Sequence, residues 1–420
     1  MKTPVNVNLE ALRGYAAVFV VIGHLIPFHK GFNPQYTPMP LVVFAPSPHL
    51  FLLVFFVLSG YVITISNKGI SNFGEISNYV KKRFLRIYPI YFVALLITLL
   101  TAGFAYSSSA IFWNFALMQD LIVSPFAENG PTWSLHFEML FYLLFIPLIF
   151  FRLNFIIVLG LSAAIALLNY YFHFALYPSI ISLYLLGFTF WMGGACIARY
   201  LNTEEREVNY ARLLSTLFFI VAIDQMVTRS GLPELTDRLT FLLSGQHLPA
   251  TPRGVSGMEI VLDYKDWVLL PYCLFTVIVF SGRKLKHEKW YFGILLLPLA
   301  YSVFVAVTEP SREHGLAFLG PVFYLCLSLI IRLVNWPRFD ATGKLMIRKG
   351  AWLGSISYGI YIIHAPLLFL VGRITIFDNQ LLAYIIKFTL LFTLIIILAY
   401  LLEKVFQPWI KKLLIRKKTV

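Results

Sequence analysis

Apolar residues in this chain recur in blocks of about 16–22, the length that crosses a hydrocarbon core ~30 Å thick. That repetition fixes the class: an all-α, polytopic transmembrane helix bundle. Composition agrees. Of 420 residues, 59% are hydrophobic, 17% aromatic and 13% charged. A soluble chain is about 45–50% apolar and about 25% charged, so a disordered chain is excluded and a soluble globular one disfavoured. Twelve candidate spans fall at 10–28, 50–66, 87–105, 134–151, 154–172, 180–198, 211–228, 267–281, 290–307, 315–333, 352–371 and 381–402. Several are short enough to be tilted or re-entrant, so the expected number is about 10–12. Residues 1–402 form the expected transmembrane domain, and 403–420 a basic cytoplasmic tail.

Lys and Arg orient the spans. With the N-terminus cytoplasmic, 26 of the 34 basic residues fall on the inner side and seven on the outer, Lys387 lying within the last span. Both termini are therefore expected in the cytoplasm. The net charge of +14 is distributed as membrane topology requires, in short clusters between spans, which argues against a nucleic-acid partner. Cys196, Cys273 and Cys326 lie in apolar spans without metal-ligand spacing, and are expected as buried thiols rather than disulfides or a zinc site. No metal site is expected. No cleavable signal peptide is evident, since the first span follows a polar stretch and carries Arg13.

Three outer loops are long. Residues 28–49 hold His29 and His49, 106–133 include a semi-apolar stretch from Ala110 to Ile122 that reads as a half-helix, and 229–266 is the longest polar connection. Loops of this length are usually binding surfaces, lids or disorder. The last six spans do not repeat the first six, which weakens the commonest transporter architecture.

The first span is the most informative. Arg13 and His24 are eleven residues apart, which on a helix returns the side chain to within ~20° of the same face, ~16 Å along the axis. One helix thus presents a guanidinium near one membrane face and an imidazole near the other. Ionisable groups in spans cost roughly 2.5–3.5 kcal/mol each on insertion scales and normally face an interior cavity. A snorkelling arginine and an interfacial histidine are the competing explanation, and from this helix alone the two weigh equally.

Five segments carry a resemblance. Leu9-Glu10-Ala11-Leu12-Arg13-Gly14 runs on to Gly23-His24. Phe55-Phe56-Val57-Leu58-Ser59-Gly60-Tyr61 lies in the second span. Lys82-Arg83-Phe84-Leu85-Arg86-Ile87-Tyr88-Pro89 opens the third, Thr132-Trp133-Ser134-Leu135-His136-Phe137-Glu138 with Phe141-Tyr142 the fourth, and Leu353-Gly354-Ser355-Ile356-Ser357-Tyr358 with Tyr361 and His364-Ala365-Pro366 the eleventh. In order and content these resemble the motifs of the membrane acyltransferase 3 family, with His136 standing where members often have a small or branched residue. The matches anchor residues 9–142 and 353–366.

The resemblance implies an acyl-CoA co-substrate, acetyl-CoA by default, no permanently bound cofactor, and a glycan or lipid-linked sugar acceptor. It also implies a multi-pass protein of the bacterial inner (cytoplasmic) membrane. Family members often carry an extracytoplasmic hydrolase-like domain after the bundle; only about 18 residues follow the last span here, so the bundle itself is expected to deliver the acyl group, or a separate partner protein to do so. By the same resemblance His24 and Glu138 are the candidate catalytic residues, and Arg13, Arg83 and Arg86 the candidate carrier-binding residues. Trp133, Tyr142 and His364 are the candidate substrate contacts.

Charge supports the arginines separately. Arg83 and Arg86 share a helical face at the inner mouth of the third span, and guanidinium groups bind phosphate bidentately. Positive-inside anchoring is the better account of Lys81 and Lys82. Glu138 either benefits from a helix N-terminus or orients an imidazole or acceptor hydroxyl. Ser357 and Tyr361 read as a packing stripe, Ser59 as a small residue allowing close helix approach, and His136, directed away from Glu138, as interfacial. Trp113 and Trp133 offer apolar faces to a sugar ring, or belong to the aromatic belt. A transporter or flippase for a polar lipid or solute is the alternative, and twelve spans with cytoplasmic termini suit it. The absent repeat and the concentration of polar motifs in spans one to four and eleven weigh against it.

Overall fold

A computed structural model describes residues 6–416 apart from 26–31, 33–35, 37, 68, 173–177, 202–206, 230–240, 243–244, 246–261, 263, 309–311, 335 and 376–379. His29 and most of the 229–266 connection lie outside the described residues. So do Lys2, Lys30, Lys68, Arg206, Arg238, Arg253, Lys417 and Lys418 of the charge count. The helices are α1 Val7–Leu25, α2 Met39–Phe44, α3 Pro48–Ser66, α4 Phe73–Thr101, α5 Ser108–Phe115, α6 Trp133–Phe150, α7 Phe155–Phe172 and α8 Pro178–Tyr200. They continue with α9 Tyr210–Arg229, α10 Leu270–Phe280, α11 Glu288–Thr308, α12 Arg312–Leu333, α13 Pro337–Gly354, α14 Ser357–Gly372, α15 Gln380–Tyr400 and α16 Gln407–Arg416. Among the described residues there is no strand, only an isolated bridge between Gln119 and Val123.

Five helical stretches are long and apolar enough to cross a membrane: Pro48–Ser66, Phe73–Thr101, Ala127–Phe150, Ile181–Tyr200 and Gln380–Leu414. The chain is an all-α, multi-pass membrane protein. Its helices turn apolar side chains outward: α7 exposes Ile156, Ile157, Leu161 and Leu168, and α15 exposes Leu382, Ile385 and Ile397. Cys273 is buried as expected, but Cys326 is exposed, on the outward side of α12.

Several expected spans are divided or shortened. The block at 267–281 yields only the 11-residue α10, ~16 Å long. The block at 352–371 is split, because Ile356 leaves helical geometry (φ −129°, ψ 13°) and α14 begins at Ser357. The half-helix expected from Ala110 to Ile122 ends at Phe115. Leu117 and Asp120 then take positive φ, which turns the chain back.

Helix α4, by contrast, starts well before the expected 87. Asn72 caps it, its Oδ1 accepting from the Glu75 N–H at 2.9 Å, while the Glu75 carboxylate accepts from the Ser71 N–H at 2.7 Å. Its 29 residues make it ~43 Å long, more than a bilayer core needs. The first turns, with Lys81, Lys82, Arg83 and Arg86, therefore project beyond the apolar section.

The connection left at 334–351 between two expected spans is mostly helix, α13, which runs on to Gly354. Its buried residues Gly343, Ile347, Gly350 and Gly354 fall on one face, and Arg338, Lys344, Arg348 and Lys349 on the exposed one. The glycine face packs against α1 so closely that a Cβ on Gly14 would stand 2.2 Å from the Gly350 carbonyl oxygen. Helices α3 and α8 cross as tightly, a Cβ on Gly60 falling 1.9 Å from the carbonyl oxygen of Trp191. Without hydrocarbon–water contrast to drive association, such small-residue contact is what holds membrane helices together. Lys387, inside α15, is buried with its ammonium donating to the carbonyls of Phe32 at 2.8 Å and Gly372 at 3.1 Å.

Candidate active site

Helix α1 supplies Arg13, α3 Ser59, α4 Arg83 and Arg86, α6 Ser134, Glu138 and Tyr142, and α14 Ser357, Tyr358 and Tyr361. All ten line one cavity of about 140 Å³. The local reasons are simple. Ser134, Glu138 and Tyr142 are spaced by four on α6 and share a face. Arg13 is held at the α1–α13 glycine contact, where its Nη2 donates to the Gly354 carbonyl at 3.2 Å and pairs with Glu10.

Glu138 is the centre of the polar lining. It accepts a short hydrogen bond from the Tyr142 hydroxyl and a longer one from Ser59 Oγ at 3.3 Å, and Ser59 also lies 3.3 Å from the Tyr142 hydroxyl. The Arg83 guanidinium lies over the rings of Tyr79 at 5.5 Å and Tyr142 at 5.8 Å. Arg86 pairs with Glu403 at 3.2 Å. Among the described residues, the Nε–H groups of Arg13 and Arg83 are buried without an acceptor. The guanidinium groups of Arg13, Arg83 and Arg86 line the cavity, a lining suited to an anionic guest.

Beyond Tyr361 lies a histidine pair. His24 Nδ1 is 3.2 Å from His364 Nε2, and the rings are tilted with centroids 4.9 Å apart. His364 Nδ1 faces the Tyr361 carbonyl at 2.5 Å and His24 Nδ1 faces that of Val20 at 2.9 Å. A carbonyl only accepts, so both Nδ1 atoms carry hydrogen in the neutral rings. His364 Nε2 then accepts from His24, and His24 Nε2 is left with a free lone pair, the form of a general base. Tyr361 connects this pair to the cavity lining: its ring is 5.8 Å from that of His364, and its hydroxyl shares a 2.7 Å hydrogen bond with Ser134.

The sequence-selected residues are thus distributed unequally. Arg13, Arg83, Arg86, Glu138 and Tyr142 share the cavity; His24 and His364 pair just past its end and do not line it. Trp133 does not line it either, packing edge-on against Phe56 and Phe137. Trp113 packs on Phe112. His136, expected as interfacial, is instead buried, bonded through Nδ1 to the Leu117 carbonyl and through Nε2 to the Tyr184 hydroxyl at 2.7 Å. The turn at 116–123 folds back over α6 and covers it.

With these contacts in place, comparison is decisive on family. The family model described as an acyltransferase domain matches residues 6–404. The chain belongs to the membrane acyltransferase 3 family. It is accordingly a membrane acyltransferase, and the family match spans the half of the chain between the sequence motifs as well as the motifs themselves. No curated protein and no solved structure matches the chain.

Ser59, Ser134, Tyr358 and Tyr361 join this acyltransferase's cavity, and Glu403 contacts it through Arg86, although the sequence alone does not single them out. Ser59 had a packing role in view, but it is Gly60 beside it that makes the close helix contact. Glu403 carried one signal, as the first acid after the last apolar block in a stretch otherwise basic. The segment containing it follows α15 without a break, as a wider π-helical turn over Leu401–Phe406 and then α16. Glu403 is buried there, its Oε1 accepting from the Gly359 N–H at 3.0 Å in the first turn of α14, where N–H groups have no partner within the helix. Among the described residues, no group of three or more His, Cys, Asp or Glu is placed to hold a metal ion.

Proposed function

We propose that this protein moves an acyl group, acetyl by default, from cytosolic acyl-CoA to a hydroxyl of a cell-surface or lipid-linked glycan at the bacterial inner membrane. The observation that carries the reading is the convergence of Arg13, Arg83 and Arg86 with Glu138 on one cavity whose end abuts the His24–His364 pair.

In this reading the carrier's phosphates dock at Arg83 and Arg86, the arm passes Arg13, and the thioester comes to rest near Tyr361. His24 Nε2 takes the proton of the acceptor hydroxyl as its oxygen attacks the thioester carbonyl. The tetrahedral oxyanion collapses, the carbon–sulfur bond breaks, and the thiolate recovers the proton to leave as CoA–SH. The hydroxyls of Ser134 and Tyr361 donate to the Pro131 carbonyl at 3.1 and 3.0 Å, and reach the oxyanion as donors only by turning away from it.

The test uses purified protein with labelled acetyl-CoA and membrane glycans. Label should enter the glycan fraction, and His24→Ala should bind acetyl-CoA yet transfer it at least about a hundredfold more slowly. Full activity in that variant would sink the base assignment. A transporter for another solute would neither transfer label nor be thermally stabilised by acetyl-CoA.

A further inference from the structure

Arg86 borders two basic recesses outside the central cavity. One, of about 360 Å³, is lined by Lys82, Arg83, Leu85, Arg86 and Lys411. The other, of about 310 Å³, includes Arg13, Arg86 and Lys404 among its lining, with Glu10 as its one acid. Lys404 and Lys411 both come from the stretch after the last long helix, the expected basic tail.

Two contacts fix that stretch on Arg86 itself, and a third ties Lys411 to it. Glu403 pairs with the guanidinium, and Gln407, almost fully buried, donates from Nε2 to the Arg86 carbonyl at 2.5 Å. Lys411 then leans on Gln407 Oε1 at 3.3 Å. The opposite side of the stretch exposes Val405, Trp409 and Leu413, spaced by four, an apolar stripe with the character of a helix lying at a membrane interface. The apolar side and the bonds to Arg86 therefore hold Lys404 and Lys411 at the edges of the two recesses. Cations in an unspecific positive-inside cluster would need no such anchorage.

We infer that the C-terminal segment is a working part of the donor site, with Lys404 and Lys411 completing two phosphate subsites that meet at Arg86 and receive the separate phosphate-bearing positions of a nucleotide carrier. The inference rests on the proposed donor and deepens it. Two anion subsites joined by a shared guanidinium suit a carrier that bears phosphate at two places on one ribose unit. A single phosphate would leave one recess without a guest.

The experiment compares wild type, K404Q/K411Q and the charge-retaining K404R/K411R. Adenosine 3′,5′-bisphosphate, which has the phosphates without the acyl arm, is the probe, read by thermal stabilisation and by competition with acetyl-CoA. The glutamine pair should raise the KM for acetyl-CoA and weaken the bisphosphate by about tenfold each, with kcat kept at saturating donor, and the arginine pair should restore both. Unchanged KM and unchanged bisphosphate binding would overturn the inference. So would a fall in kcat and thermal stability at constant KM, the mark of a scaffold. A wild-type protein that transfers nothing yet is stabilised by the bisphosphate through these lysines would sink the acyl-transfer reading and keep the phosphate site.

Discussion

His24 and His364 face each other from α1 and α14, with Nδ1 of the first 3.2 Å from Nε2 of the second. The contact makes their roles unequal. His24 keeps the free Nε2 lone pair, while His364 holds the ring that keeps it so.

His24→Ala should therefore lower kcat by about 10²–10⁴, the usual contribution of a general base, with the KM for acetyl-CoA nearly unchanged. His364→Ala removes one hydrogen-bond acceptor, worth about 0.5–1.5 kcal/mol, and should cost about tenfold or less. Steady-state acyl transfer by the two purified variants checks the ranking.

Around Glu138 the expected order is also graded. Glu138→Gln removes the cavity's only lining carboxylate among the described residues and should impair transfer severely. Ser59→Ala loses one long hydrogen bond and should stay within about tenfold of wild type. Intact-mass measurement after donor addition provides the contrast: an acyl adduct on Ser59, with complete loss of transfer in the alanine variant, would assign a covalent intermediate.

Helix spacing makes a stability prediction. Gly60→Ala puts a methyl group 1.9 Å from the Trp191 carbonyl oxygen and should destabilise by about 1–3 kcal/mol through overpacking. Gly293→Ala, whose Cβ would meet nothing within 4 Å, should be neutral or slightly stabilising. Thermal melting in detergent separates the two.

Asp120, in the turn after α5, gives a pH dependence. Burial pushes its carboxyl up to about 7 from the usual 3.8, and among the described residues its Oδ2 has no hydrogen-bond partner. A carboxyl raised on folding favours the protonated, folded form, so its penalty is absent below about pH 4 and grows as pH rises towards 7. Asp120→Asn should raise the melting temperature at pH 8 by about 2–4 °C and change little at pH 4.

Local rules reached far along this chain because its strongest signals are local. Arg13 and His24 could be placed on one stripe by counting turns, and both do turn inward, towards Gly354 and His364. The α6 residues Glu138 and Tyr142 came from the family resemblance, and their spacing of four puts them on one face. What failed were inferences about what stands opposite a side chain. His136 reads as interfacial from its own helix, yet the turn at 116–123 buries it. Trp133 is expected as a sugar contact or a belt residue, yet it does not line the cavity and packs edge-on against Phe56 and Phe137. Residues 334–351 fall between the expected spans because their charges are conspicuous, while the glycine face that packs them on α1 has no hydropathy to reveal it.

By itself the sequence determined the all-α membrane class, the family motifs and the helix faces that carry the arginines, Glu138 and His24, since apolar block length and 3.6-residue periodicity act within single segments. Only the tertiary structure decided that Ser59 and Tyr361 join the cavity, that His24 pairs with His364, and that Glu403 and the C-terminal lysines meet Arg86. Those contacts join segments far apart in the chain, and their geometry is set by glycine crossings and buried hydrogen bonds that no single helix encodes.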